Sequence, residues 1–154
     1  MNGRCDEAMG QLDLLRELQV PPARVAWIRA QCLGRRELWE EASNALRPTA
    51  DRNPGNADAH YGFLLARAGR LAEARGIRDS LLALWRRGTR PAYPLAVIHA
   101  GLHEYDEAFK WLDAAVADQS ITFGIMEPMF EDLWRDARFD RIRKKLGLAV
   151  QARR

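Results

Sequence analysis

Four alanines recur along this chain at a nearly constant interval, and that interval constrains the fold more than any other feature. Ala8, Ala42, Ala74 and Ala108 are separated by 34, 32 and 34 positions. Each opens a segment in which acidic residues precede leucines, with apolar residues three or four positions apart, the spacing of one helix face. A period near 34 residues is typical of stacked helical hairpins, in which a small side chain lets two helices cross closely. We therefore expect an all-α fold, an α-solenoid of about three and a half hairpins with a C-terminal helical cap.

Turn-forming residues divide the 154 residues into the parts of one domain. The expected helix over 3–18 ends at Val20-Pro21-Pro22, because a proline keeps the preceding residue out of helical geometry. Gly34, Gly69 and Gly88 are expected at helix ends. Pro128 interrupts the last repeat, and two short helices are expected around 129–135 and 137–146. The resulting parts are a half repeat at 3–20, hairpins at 22–54, 57–88 and 91–118, and a cap at 120–149.

Composition limits the classes of partner. The net charge of +3 is small, and no basic run is mixed with stacking aromatics except near the C-terminus, so we expect no nucleic-acid partner. No apolar run approaches the length of a membrane span, and no signal sequence opens the chain, so we expect no membrane association. Cys5 and Cys32 fit no metal-ligand spacing and are expected to be free thiols in a reducing compartment. The expected location is the cytoplasm.

The third hairpin, AVIHAGLHEYDEAFKWLDAA, resembles a tetratricopeptide repeat (TPR). The matching residues in this hairpin are Ala96, Leu102, Tyr105, Ala108 and Ala115. The second hairpin resembles the family through Gly62, Leu65, Gly69, Leu71 and Ala74. The first hairpin matches at Ala30, Leu33, Trp39, Ala42 and Pro54, with tryptophan in place of the usual tyrosine.

The last segment, MEPMFEDLWRDARFDRIRKKLGL, resembles the C-terminal cap of many bacterial TPR-containing regulatory and signalling proteins. The residues that match are Pro128, Phe130, Leu133, Asp136, Arg138, Phe139, Gly147 and Leu148. Ala137 stands where that cap usually has proline, so a less sharp start of the last helix is expected.

The resemblance implies a protein- or peptide-binding scaffold. In TPR proteins the first helices of successive hairpins line a concave face that accepts a peptide. The arginines carried over would suit an acidic peptide with an apolar anchor, because a guanidinium forks onto a carboxylate and aromatic side chains bury large areas. The peptide-binding residues that the resemblance implies here are Arg24, Trp27, Gln31, Arg35, Phe63, Arg67, Arg90, Tyr93 and Val97.

Chemical motifs give little support to an enzyme. His99 and His103 have a spacing that can place two imidazoles on one metal, but His103 falls at an expected turn. We therefore expect one packed and one exposed histidine. Acidic pairs such as Asp106-Glu107 open second helices, where they complement the helix dipole. No phosphate-binding loop or nucleophile motif occurs, so we expect no catalytic residue, metal or cofactor.

Two other functions stay open. The expected helix over 3–18 resembles the second helix of a repeat whose first helix is missing, so we expect its apolar face to need cover. A homodimer through this edge is therefore one alternative. The other is a sensor module of a split bacterial signalling protein, because such repeats often follow a catalytic or DNA-binding domain.

Overall fold

A computed structural model describes residues 3–50, 56–89, 91–121 and 124–148 of the protein. Within these ranges the regular structure is entirely helical, which confirms the expected all-α class. None of the described helices has both the length and the apolar character needed to cross a bilayer. The α-helices are α1 (Gly3–Gly10), α2 (Leu12–Glu17), α3 (Pro22–Gly34), α4 (Trp39–Ala50), α5 (Asn56–Arg67), α6 (Leu71–Arg86), α7 (Ala92–Gly101), α8 (Tyr105–Ala117) and α9 (Ala137–Lys145).

The N-terminal segment is two helices, so the expectation of one helix over 3–18 is wrong in detail. The break falls at Gln11, whose N–H is shared between the carbonyls of Glu7 and Ala8 at 3.2 and 3.1 Å. Gly10 precedes it, and glycine is the poorest helix former after proline. Both helices still pack against α3.

The two cysteines lie on the packed helices α1 and α3, and both are free thiols. Cys5 is half-buried and Cys32 is buried. Burial, and then the neighbouring Cys5 thiol, raises the pKa of Cys32 to about 11. The Cys32 side chain is therefore a protonated core residue at neutral pH.

Three helix pairs, α3–α4, α5–α6 and α7–α8, are each joined by the same kind of turn. The turn residues Glu37, Gly69 and His103 have positive φ values of 59°, 83° and 59°. In each turn the N–H of the following residue reaches the carbonyl five residues before it, at N···O distances of 2.9–3.1 Å. This hydrogen bond gives a partner to a carbonyl at the end of the first helix. The turn also reverses the chain direction, so the second helix runs back along the first. The helices of each pair therefore pack against each other.

Small residues allow the close helix contacts. Ala42, Ala74 and Ala108 of the periodic set are fully buried, and Ala8 is half-buried. The approach of α7 to α5 depends on Gly101, because a Cβ there would lie 2.7 Å from the Cα of Phe63. A side chain at this position would therefore force the two helix backbones apart.

The cap contains short helices near both expected positions, 129–135 and 137–146, but the first of them is a 3₁₀ helix. Its first part consists of two 3₁₀ segments, Gly124–Met126 and Pro128–Leu133, and only its second part, α9, is an α-helix. Asp136 caps α9 by accepting the N–H of Arg138 at 2.8 Å, which gives a defined helix start without the proline that Ala137 replaces. The fully buried apolar residues of the cap are Ile125, Phe130, Leu133, Phe139 and Ile142.

Candidate functional site

An open groove of about 1060 Å³ lies between two helix turns and the cap. One wall comes from the α3–α4 turn, with Arg35 and Glu37, and another from the α7–α8 turn, with His103. The cap supplies a further wall between residues 128 and 135, and α4 and α5 contribute Trp39 and Phe63. We call this space the rim groove, because the turns at the ends of the helix pairs form it.

Arg67 of α5 contacts two other parts of the rim groove, the cap and the start of α4. Its guanidinium donates to Asp132 Oδ2 at 2.7 Å, and its Cζ lies 4.8 Å from the ring centre of Trp39. Such stacking adds a cation–π attraction to the ion pair. The Asp132 carboxylate neutralises the charge of Arg67. This ion pair therefore links α5 to the cap.

The α7–α8 turn is connected to the same carboxylate. The Tyr105 hydroxyl lies 3.4 Å from Asp132 Oδ2, and Nδ1 of His103 lies 2.7 Å from that hydroxyl. Burial, and then the charge of Asp132, raises the pKa of Tyr105, so the hydroxyl keeps its proton and donates to the carboxylate. This side of the rim groove is therefore positioned by hydrogen bonds to the cap.

A smaller pocket of about 80 Å³ shares seven lining residues with the rim groove and therefore opens into it. Its walls are mainly apolar, with Trp27, Trp39, Phe63 and Met129 contributing the largest side chains. We call it the anchor pocket, because buried aromatic and apolar walls favour an apolar side chain of a ligand.

The charges around the rim groove balance. Three arginines and three acidic residues line it, and within the described residues Arg67 and Asp132 are the one pair in contact. The other four form no ion pair with any residue that the structure describes. The groove therefore favours neither a wholly acidic nor a wholly basic ligand through its net charge. These four residues are Arg35, Glu37, Glu131 and Arg135.

A buried polar cluster holds the cap against α5 and α7. The Tyr93 hydroxyl donates to Glu127 Oε2 at 2.5 Å, and Nε2 of His60 lies 3.1 Å from the same oxygen. The Trp27 ring meets the His60 ring edge-on at 4.5 Å. Burial, and then the Glu127 charge, raises the pKa of Tyr93 well above its usual range. Burial favours a higher pKa for Glu127, but the hydrogen bonds from His60 and Tyr93 outweigh it and hold that pKa below its usual value.

The hydrogen bonds to Glu127 make the free energy of unfolding depend on pH in the acidic range. Because its folded-state pKa is lowered, the contribution of Glu127 is complete above its unfolded value of about 4.3 and is lost as the pH falls through the folded value. We expect Glu127→Gln to lower the free energy of unfolding by about 1–3 kcal/mol at pH 7. The difference from wild type should shrink steadily below about pH 4.3 in urea titrations. A constant difference down to pH 2, or an equal loss in the control Glu41→Gln on the exposed surface of α4, would contradict the role of this cluster.

The structure brings together about half of the residues predicted for peptide binding. Trp27, Gln31, Arg35, Phe63 and Arg67 line the rim groove or the anchor pocket. These residues come from α3, its following turn and α5, which are contiguous in the fold. The Pro128–Leu133 segment of the cap contacts α7, the next of the helices from which binding residues were predicted.

The remaining predicted residues lie elsewhere. Tyr93 is buried and bonded to Glu127, and Val97 is fully buried. Every residue of α7 is buried, because α5, α6, α8 and the Pro128–Leu133 segment cover it. Arg24 is exposed on α3 and does not line either cavity, and Arg90 lies outside the described residues.

Several groove residues were missed by the sequence prediction. They belong to the end of α3, to turns, to the first residues of α4 and α8, and to the cap, whereas the resemblance pointed only to the first helices of the hairpins. The one available signal was the cap itself, whose segment 128–135 mixes aromatic and acidic residues. The missed residues are Gly34, Glu37, Trp39, His103, Tyr105, Pro128, Met129, Glu131, Asp132, Trp134 and Arg135.

The two histidines with metal-ligand spacing are separated, as expected. His99 is buried, with Nδ1 at 2.6 Å from Glu104 Oε2, whereas His103 is exposed and contacts Tyr105. Burial lowers the pKa of His99 despite its bond to Glu104. Among the residues that the structure describes, no group of three or more His, Cys, Asp or Glu side chains is arranged to hold a metal.

Comparisons with protein-family models, curated proteins and solved structures find no significant match for this chain. The likeness to TPR proteins therefore stays a prediction from the sequence. Any function for the chain has to be argued from its own groove, pocket and surfaces.

Proposed function

We propose that this protein is a non-catalytic scaffold that binds a protein or peptide segment in the rim groove. The proposal includes the arrangement: a short α-solenoid of TPR-like hairpins closed by the cap. Its support is the burial of Ala42, Ala74 and Ala108 at a period near 34 residues, together with three helix pairs that share one turn geometry. A scaffold of this kind presents its helix turns and inner helices as a binding surface.

The observation that carries the proposal is the rim groove with the anchor pocket in its wall. A volume of about 1060 Å³ is at the upper end for small-molecule sites, and the groove is only partly enclosed. Tryptophan, tyrosine and arginine, the residue types most common at binding hot spots, are prominent in its lining. An extended peptide segment with one buried side chain fits these features better than an enclosed small molecule.

The buried titratable groups support a non-catalytic role. His60 and Tyr93 each bond to Glu127, and His99 bonds to Glu104. None of these five side chains lines the rim groove, and each has its partner within the fold. They are used to hold helices together.

The test is selection of peptides from a displayed random library on the intact chain, followed by affinity measurements on variants. We expect the double variant Arg35→Ala/Trp134→Ala to weaken a selected peptide about thirtyfold or more, because truncating a hot-spot Trp or Arg costs about 2 kcal/mol. The matched control is Arg75→Ala/Leu71→Ala, another exposed arginine and exposed apolar residue, on α6. Equal affinities of both double variants and wild type would place the binding surface elsewhere.

Self-association is a second candidate because of exposed leucines on the N-terminal edge. Leu14 and Leu18 are 49% and 66% exposed. A separate cavity of about 540 Å³ is lined by residues that follow them in the chain, the first being Gln19 and the last Ala45. Exposed apolar side chains at one edge favour an interface between copies. We expect a dimer by this route to dissociate in Leu14→Glu/Leu18→Glu, as measured by sedimentation equilibrium. A wild-type mass that stays monomeric across micromolar concentrations would rule this candidate out.

A further inference from the structure

We infer that the partner segment of the rim groove carries one aliphatic side chain flanked by one acidic and one basic residue. This inference rests on the proposed function and specifies the ligand of the same site. It departs from the acidic ligand suggested by the family resemblance, because the charges of the groove balance. The argument uses the size of the anchor pocket and the two charged residues at its opening.

The anchor pocket selects the central side chain. Its volume is about 80 Å³, against about 1060 Å³ for the rim groove. A compact aliphatic side chain such as leucine, isoleucine or valine suits this small apolar space. The walls of Trp27, Trp39, Phe63 and Met129 offer apolar contacts on several sides, so burying an aliphatic group there removes it from water.

Arg35 and Glu131 occupy the opening of the anchor pocket. Each lines both the pocket and the rim groove, and both side chains are exposed. Neither forms an ion pair with a described residue, whereas the nearby Arg67 is neutralised by Asp132. An anchored ligand therefore lies near one cation and one anion that form no ion pair with any residue the structure describes.

These two charges discriminate between ligands by repulsion as well as attraction. An acidic residue beside the anchor gains a charge-assisted bond to Arg35, and a basic residue gains one to Glu131. A ligand with acids on both sides is repelled by Glu131, and one with bases on both sides is repelled by Arg35. Glu37 and Arg135 repeat the mixed pattern in the wider groove, so they do not shift the preference to one sign.

The experiment compares peptides that differ only in the two flanking charges. A peptide selected on the wild-type chain is synthesised with Asp-Leu-Lys, Asp-Leu-Asp or Lys-Leu-Lys at its anchor position. We expect the mixed peptide to bind the wild-type chain about fivefold tighter than either like-charged peptide, the effect of about one exposed ion pair. Binding is measured by fluorescence anisotropy at low salt, because screening reduces such differences.

Charge variants of the protein make the test specific. In Glu131→Arg both charges at the pocket opening are positive, so the preference should move to Asp-Leu-Asp, and in Arg35→Glu it should move to Lys-Leu-Lys. The matched control is Glu41→Arg, a reversal on the exposed surface of α4, which should keep the wild-type preference.

The failures of the two proposals are distinguishable. If peptides are enriched and lose affinity in Arg35→Ala/Trp134→Ala, but an acidic pair binds wild type best or Glu131→Arg leaves the ranking unchanged, the inference is wrong and the proposed function stands. If no peptide is enriched on the wild-type chain, both are wrong.

Discussion

Phe130→Ala is expected to lower the free energy of unfolding by about 3–5 kcal/mol, the usual cost of removing a buried phenylalanine ring. Phe130 is fully buried in the Pro128–Leu133 segment, and its ring centre lies 6.0 Å from that of Tyr93. Its loss removes apolar burial and one support of the hydroxyl that bonds to Glu127. For a chain of this length the midpoint of thermal unfolding should fall by roughly 10 °C.

The control for this variant is Met126→Ala, a truncation in the same cap. Met126 is 43% exposed, so the same type of change there should alter stability by about 0.5 kcal/mol or less. Urea unfolding of both variants with an unchanged slope gives the comparison directly. Similar small effects for the two variants would mean that the cap is not packed as part of the core.

Gly101→Ala should also be strongly destabilising, although it adds only one methyl group. The new Cβ would lie 2.7 Å from the Cα of Phe63. A backbone atom cannot relieve this clash by changing rotamer, as a side chain can. Helices α5 and α7 would have to separate, and such overpacking typically costs about 1–3 kcal/mol. We expect a value at the upper end, about 2–3 kcal/mol, because the whole α5–α7 contact must adjust.

The same glycine-to-alanine substitution at Gly76 should raise the free energy of unfolding rather than lower it. A Cβ on Gly76 meets nothing within 4 Å, and this glycine lies in the interior of α6. Alanine there should stabilise the chain by about 0.5–1 kcal/mol through helix propensity. Gly62→Ala should fall between them, because its Cβ would meet the flexible end of Ile98 at 2.5 Å. A stabilising Gly101→Ala in urea unfolding would refute the close α5–α7 approach.

The helices were predictable because their signals are local. Gly88, which was expected at a helix end, lies just after α6 (Leu71–Arg86) and has a φ of 88°. Apolar spacing and turn residues lie within one helix length of each other, so the sequence alone indicates them. The buried alanines were found for a related reason, since a small residue repeated at one interval marks repeated close contacts.

The site was only partly predictable because it depends on long-range contacts. Tyr93 and Glu127 are 34 residues apart, and Arg67 and Asp132 are 65 apart. No local pattern shows that the cap lies against α5 and α7 and leaves Tyr93 and Val97 without an open surface. In addition, α7 is apolar nearly all round, so its sequence gives no face that distinguishes the groove from the core.

The central claim is that a peptide binds in the rim groove, and backbone NMR with a library-selected peptide tests it most directly. We expect the largest shift changes at three separate segments of the chain: 34–39, 103–105 and 129–135. The residues of α1 and α2 should change little. Shift changes confined to α1 and α2, with the three groove segments unaffected, would contradict the account and favour the N-terminal edge as the binding surface.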